Sequence, residues 1–281
     1  MSNIDEFESL FRRAEREPFE YRPLVPKTVA VLTDRDEAFG REVATAAKTF
    51  LPCLNDAKII TLGREALGTV AGIEKAVEAC RPDLLITFRL LTEPESVPQH
   101  SLGRYLDVLT QTLPPPCLVL GGTAAEPVLP TAAASDVVVL TDHIRGDSAL
   151  ISTAAALSPQ DARLHLCHVE DDAVFARYMD AIAKVPGLDS DLATTQVEAV
   201  LLEEARDYIA AAVEGLKAAG VSHATTSHVL RGHRLETFRS LIDSHDASLV
   251  VLNTKDDGQL AMHGMAYAVA VEVTGRPLLM L

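Results

Sequence analysis

Val29-Ala-Val-Leu-Thr-Asp34 and Val137-Val-Val-Leu-Thr-Asp142 agree at five of six positions, 108 residues apart. Each is a short, β-branched apolar run that stops at an aspartate. That is the pattern of a strand buried on both faces and closed by a turn. The likeness continues outward from these hexamers. Asp56-Ala-Lys-Ile59 parallels Asp161-Ala-Arg-Leu164, and Pro82-Asp-Leu-Leu-Ile-Thr87 resembles Asp246-Ala-Ser-Leu-Val-Val-Leu252. Pro116-Cys-Leu-Val-Leu120 matches the closing Pro277-Leu-Leu-Met-Leu281. Four matches in one order mark an internal duplication.

Helical stretches separate the strands. In the first copy they are expected up to Phe50, over Thr69–Cys80 and over Ser101–Leu113, between strands near 28–33, 57–62, 82–88 and 114–120. Strand-helix alternation implies βαβ units and a parallel sheet. The second copy is fuller. Its second strand (164–169) precedes a helix carrying Phe175, Tyr178, Met179 and Ile182 on one face, broken by Pro186-Gly187. A long helix over about 195–219 follows, closed by Gly220, then a strand near 225–230, a helix through Leu235, Phe238 and Ile242, and a strand at 247–252. The first copy has no room for the extra helix and strand, so about four strands are expected there. The expected organisation is an amphipathic helical arm (1–22, with Ile4, Phe7, Leu10 and Phe11 at helical spacing), a trimmed domain (23–121), a Gly/Pro/Ala-rich linker (122–135) and a complete domain (136–281). The two terminal strands are apolar and would be bare sheet edges, so they are expected to pair antiparallel as an intramolecular pseudo-dimer.

Forty acidic against 25 basic side chains leave a net charge of −15. That disfavours nucleic acid or an anionic membrane surface as partner, since both need clustered Lys and Arg. No run approaches the ~20 apolar residues of a membrane span. Asp5, Glu6 and Glu8 stand where a secretory leader would carry basic residues, so a cytoplasmic protein is expected. Cys53, Cys80, Cys117 and Cys167 form no CxxC pair and read as small buried hydrophobes.

From Val137 onward the order of pieces is similar to a universal stress protein domain. The strand ending in Asp142 is followed by Ser152-Thr-Ala-Ala-Ala-Leu157, Leu164-His-Leu-Cys-His-Val-Glu170, Lys217-Ala-Ala-Gly-Val221, the Gly232 turn and a last strand after an x-Pro pair. The resemblance implies two tandem three-layer α/β/α domains with parallel sheets, five strands in the order 3-2-1-4-5 in the second. It also implies a nucleotide position at the carboxyl ends of the strands, where open α/β sheets place ligands. Around that position it sets Asp142, Val169, Gly232, Asn253, Lys255, His263 and Gly264, with Asp34 the first-copy counterpart of Asp142.

The family's phosphate loop, Gly-x-x-Gly then nine residues then Gly-Ser or Gly-Thr, cradles an anion with bare backbone amides. Here Asn253 and Asp256 stand at the two loop glycines, the segment is two residues shorter, and Met265 replaces the hydroxyl residue. Asp256 and Asp257 would set two negative charges beside the phosphates. The stretch from Phe88 to Gly103 offers no glycine pair either. No Walker loop, GxSxG, HExxH or Rossmann fingerprint is present.

Histidines do not complete a catalytic or metal set by spacing. His165 and Cys167 share one face of a strand while His168 points away; His223, His228 and His233 recur every five residues; His100 and His263 precede corresponding helices. No metal and no resident cofactor are expected. The resemblance with these departures implies a non-enzymatic stress-response or regulatory protein that works through dimerisation, as an internal pair or a homodimer, or through an unidentified protein partner. The alternative is an ATP- or AMP-binding sensor or slow ATPase that holds the nucleotide weakly. The loop at 253–265 discriminates between them.

Overall fold

The computed structural model describes residues 19–93, 101–141, 148–187, 189–254, 262 and 264–281. In the first half, β1 (Thr28–Leu32), α1 (Glu37–Phe50), β2 (Lys58–Leu62), α2 (Val70–Cys80), β3 (Leu84–Arg89), α3 (Arg104–Thr112) and β4 (Cys117–Thr123) alternate. A short β5 (Pro127–Val128) turns back antiparallel on β4. The second half runs β6 (Asp136–Leu140), α4 (Ser148–Leu157), β7 (Arg163–Asp171), α5 (Asp172–Ile182), α6 (Ser190–Ala218), β8 (Ala224–Gly232), α7 (Arg234–Ser244), β9 (Leu249–Leu252), α8 (Gly264–Glu272) and β10 (Leu278–Met280).

All strands join one sheet in the order β2-β1-β3-β4-β10-β9-β6-β7-β8, with β5 beside β4. Within each half the main pairings are parallel. The halves meet at β4 and β10, which run antiparallel with Leu278 opposite Val119 and Met280 opposite Cys117. This is the edge-to-edge pairing expected of the two apolar terminal strands. In the second half the strands lie, from the free edge inward, as its third, second, first, fourth and fifth; among the described residues the first half has no counterpart of β8. Val29–Leu32, Leu84–Ile86, Val137–Val139 and Leu249–Val251 are fully or almost fully buried, so both sheet faces are covered there.

Local chemistry sets the element ends. Asp36 caps α1 through Phe39 N at 2.9 Å, and Thr69 caps α2 through Gly72 N at 3.0 Å. Asp189 accepts from the amides of Asp191 and Leu192, which starts α6 at Ser190, five residues before the start expected near 195. Part of the segment read as linker is ordered structure: β4 continues to Thr123 and β5 folds back on it. The cysteine reading is corrected in part. Cys117 and Cys167 are buried, their thiols pushed up to about 12 by desolvation, whereas Cys80 is half-buried and Cys53 exposed on a 3-10 turn.

Chain crossings reinforce the joint. The segment from Phe19 to Arg22 lies against the second half, where Arg22 N donates to Ser152 Oγ at 3.0 Å. Phe19 packs so closely on α6 that a Cβ at Gly215 would stand 2.3 Å from its ring. The helix expected over Ile4–Ala14 lies outside the described residues.

Arg89 makes the firmest crossing. It ends β3, is 1% exposed, and sends its guanidinium into the C-terminus of α8. Nε and Nη2 donate to Ala270 O at 3.1 and 2.7 Å, Nη2 also to Val273 O at 2.5 Å, and Nη1 to Thr274 O at 2.9 Å. Unpaired carbonyls and the negative end of the helix dipole suit a cation. Desolvation lowers its pKa to about 10, which still leaves it charged at neutral pH.

Candidate functional site

Within each half the parallel strands end along one edge of the sheet, and it is at such ends that the resemblance implies a nucleotide position. In the second half Val169 is buried near the end of β7, and its carbonyl accepts from Arg234 Nε at 3.1 Å. Gly232 ends β8 with Thr237 Oγ1 against it, 2.8 Å from where a Cβ would stand. Asn253 follows β9 half-buried, and the next amide, Thr254 N, donates to Leu281 O at 2.7 Å. Gly264 opens α8 exposed, and among the described residues a Cβ there would meet no atom within 4 Å. Asp142, Lys255 and His263 lie outside the described residues, as does His100.

The corresponding place in the first half is closed by its own bonds. Asp34 Oδ2 accepts from Thr92 N at 3.0 Å, and the Asp34 carbonyl accepts from Arg64 Nε. The loop after β3 takes a left-handed backbone at two non-glycine residues, Leu90 (φ 54°) and Thr92 (φ 57°). Gly103 (φ 84°) packs against it, and a Cβ there would stand 2.9 Å from Leu90 Cα. A cleft of about 810 Å³ opens beside these residues, lined by Arg35, Asp36, Glu37, Phe39, Glu42 and Arg64. Arg35 already donates to Ala124 O at 3.2 Å and to Ala125 O, so three acids face the cleft against two committed arginines.

A different constellation forms toward the amino ends of the strands. His165 on β7, His228 on β8 and His245 at the C-cap of α7 converge, with ligand atoms all within 4.8 Å of one another. His165 Nδ1 stands 3.2 Å from His228 Nε2, and His245 stacks on His165 with centroids 4.0 Å apart. His165 Nε2 meets Asp136 Oδ1 at 3.1 Å, and Arg163 holds the same oxygen at 3.2 Å. Burial, then the charges of His245 and His165, hold the His228 pKa below the ordinary histidine value. The His245 pKa is lowered by burial and His165, with Asp136 opposing.

The parallel register explains the convergence. Cys167 pairs with His228 and His165 with Thr226, so both imidazoles lie on one sheet face. Two other histidines bond the backbone: His168 Nδ1 donates to Thr141 O at 3.0 Å and His223 Nε2 to Ala155 O at 2.9 Å. Linear spacing grouped His228 with His223 and His233 and left His245 out. The signal was the alternation shared by adjacent strands.

No family model matches the sequence, and no curated protein matches it significantly. Solved structures do. A candidate universal stress protein from Pseudomonas aeruginosa UCBPP-PA14 is similar at 14% identity and TM-score 0.55, over 92% of this chain and 94% of that one. A universal stress protein from Archaeoglobus fulgidus DSM 4304 is similar at 10% identity and TM-score 0.52, over 90% of this chain and 95% of that one. A protein of unknown function from Pseudomonas aeruginosa PAO1 gives 14% identity and TM-score 0.54, over 92% and 93%. At these identities the likeness is one of fold: an α/β protein with the architecture of tandem universal stress proteins. Among the described residues no helix is long and apolar enough to cross a membrane.

Proposed function

We propose that the protein is a tandem stress-type protein that acts by binding partners and does not turn over nucleotide, its strand-end crevices having been given over to internal structure. The observation that carries this reading is the Asp34 carboxylate, whose Oδ2 is engaged by the chain's own loop amide Thr92 N at the place of a ribose contact. Val169 O on Arg234 and Thr254 N on Leu281 O support it in the second half. The loop sequence agrees, since Asn253, Asp256 and Met265 stand at the phosphate-binding positions. The cytoplasmic role expected from composition fits a net charge of −15, which favours solubility and disfavours nucleic acid.

The test is to purify the full chain without added nucleotide, denature it and quantify released adenine nucleotides by chromatography. Less than a tenth of an equivalent per chain is expected at roughly micromolar protein, because a site with millimolar Kd empties during purification. Release of near one equivalent of ATP or AMP would contradict the reading.

A further inference from the structure

We propose that His165, His228 and His245 form a binding site for one late first-row divalent cation, with zinc the reference ion. The ligands are His165 Nδ1, His228 Nε2 and a ring nitrogen of His245. This departs from the sequence expectation of no metal, because the fold joins rings that lie 63 residues apart on β7 and β8 with one from the end of α7.

Tautomer chemistry comes first. Asp136 Oδ1, held by Arg163, is an acceptor, so His165 Nε2 carries the hydrogen at their 3.1 Å contact. Nδ1 of a neutral His165 then presents a lone pair, and it faces His228 Nε2 at 3.2 Å. Zinc–nitrogen bonds of about 2.0–2.1 Å at a tetrahedral angle place ligand nitrogens about 3.3 Å apart. The first pair therefore already has the separation that a shared ion requires. The carboxylate behind the first histidine is the usual outer partner that fixes a metal-bound imidazole.

His245 supplies the third donor from the solvent side. It sits at a helix end and is only half-buried, so a ring rotation brings its nitrogen from within 4.8 Å to bonding distance. Two ligands on paired strands and one on a helix end form a rigid base with one adjustable member. An all-nitrogen set suits zinc, nickel or copper and not magnesium or calcium, which take oxygen. Three protein ligands leave a fourth position to solvent. Among the described residues, no ring of this trio donates to a backbone carbonyl, in contrast to His168 and His223.

The full-length protein, stripped with a chelator and dialysed, would be titrated with zinc by calorimetry and with cobalt(II) by visible absorption. One equivalent is expected to bind, with Kd near or below roughly a micromolar. H228N and H245N change partly exposed residues and should fold; each is expected to raise Kd at least ~10-fold. H233N, at an exposed helix start with no side-chain cap bond, should bind as the wild type does. Absence of saturable binding by the wild type, or equal affinity in H228N and H245N, would overturn the proposal.

Discussion

At the scale of single residues, charge and hydrogen bonding decide. Arg89 satisfies three carbonyls at the end of α8 from the opposite half. R89A leaves them buried and unpaired and is expected to destabilise the chain by on the order of 3 kcal/mol in urea denaturation. R89K should recover little, since one ammonium cannot reproduce the planar fork. A loss under about 1 kcal/mol in R89A would show that water replaces the guanidinium readily. The His cluster makes an independent, pH-dependent expectation. His228 on β8 and His245 at the C-cap of α7 face His165 and Arg163 on β7 and Asp136 on β6, and both pKa values fall below the unfolded value of 6.5. A depressed pKa means the unfolded chain binds more protons in that window, so stability is present above pH 6.5 and lost as pH falls toward the lowered values. The H228N/H245N double variant in metal-free buffer should show a shallower loss below pH 6.5 than the wild type. Parallel curves would contradict the assignment. Neither Arg89 nor the His trio was legible beforehand, and for one reason. An arginine ending a strand reads as exposed and histidines read by linear spacing, whereas burial and convergence come from pairings between distant segments.

At the scale of elements, much more was legible. Strands buried on both faces leave continuous apolar runs, so β1, β3, β4, β6, β9 and β10 stood out as composition alone. β8 is an edge strand with mostly exposed or half-buried residues, so its ends were less distinct. The start of α6 was missed because Asp189 sets it by capping, ahead of any apolar periodicity. The packing of Phe19 on α6 carries its own test. Replacing a mid-helix glycine by alanine ordinarily gains ~0.5–1 kcal/mol. Gly215 lies under Phe19, so G215A in the full chain should gain nothing or lose stability, because the ring must move. In an F19A background the ordinary gain should return. An equal gain in both backgrounds would mean Phe19 does not rest on α6.

At the scale of the whole molecule, the duplicated hexamers foretold two related halves, and β4 against β10 makes their sheets continuous. Cutting the chain there bares an apolar edge. The fragment 129–281 alone is expected to dimerise or aggregate through β10, as exposed hydrophobic edges do; a folded monomer by light scattering at ~50 μM would contradict that. The same joint bears on function. The first-half crevice gives up its aspartate to a loop amide, and Arg89, at the end of the neighbouring strand, leaves that half to hold the other. Isothermal calorimetry of the full chain with ATP and magnesium tests this most directly. The account expects no saturation below ~100 μM ligand, whereas a Kd at or below ~10 μM, about −7 kcal/mol of binding, would show that a working nucleotide site survives.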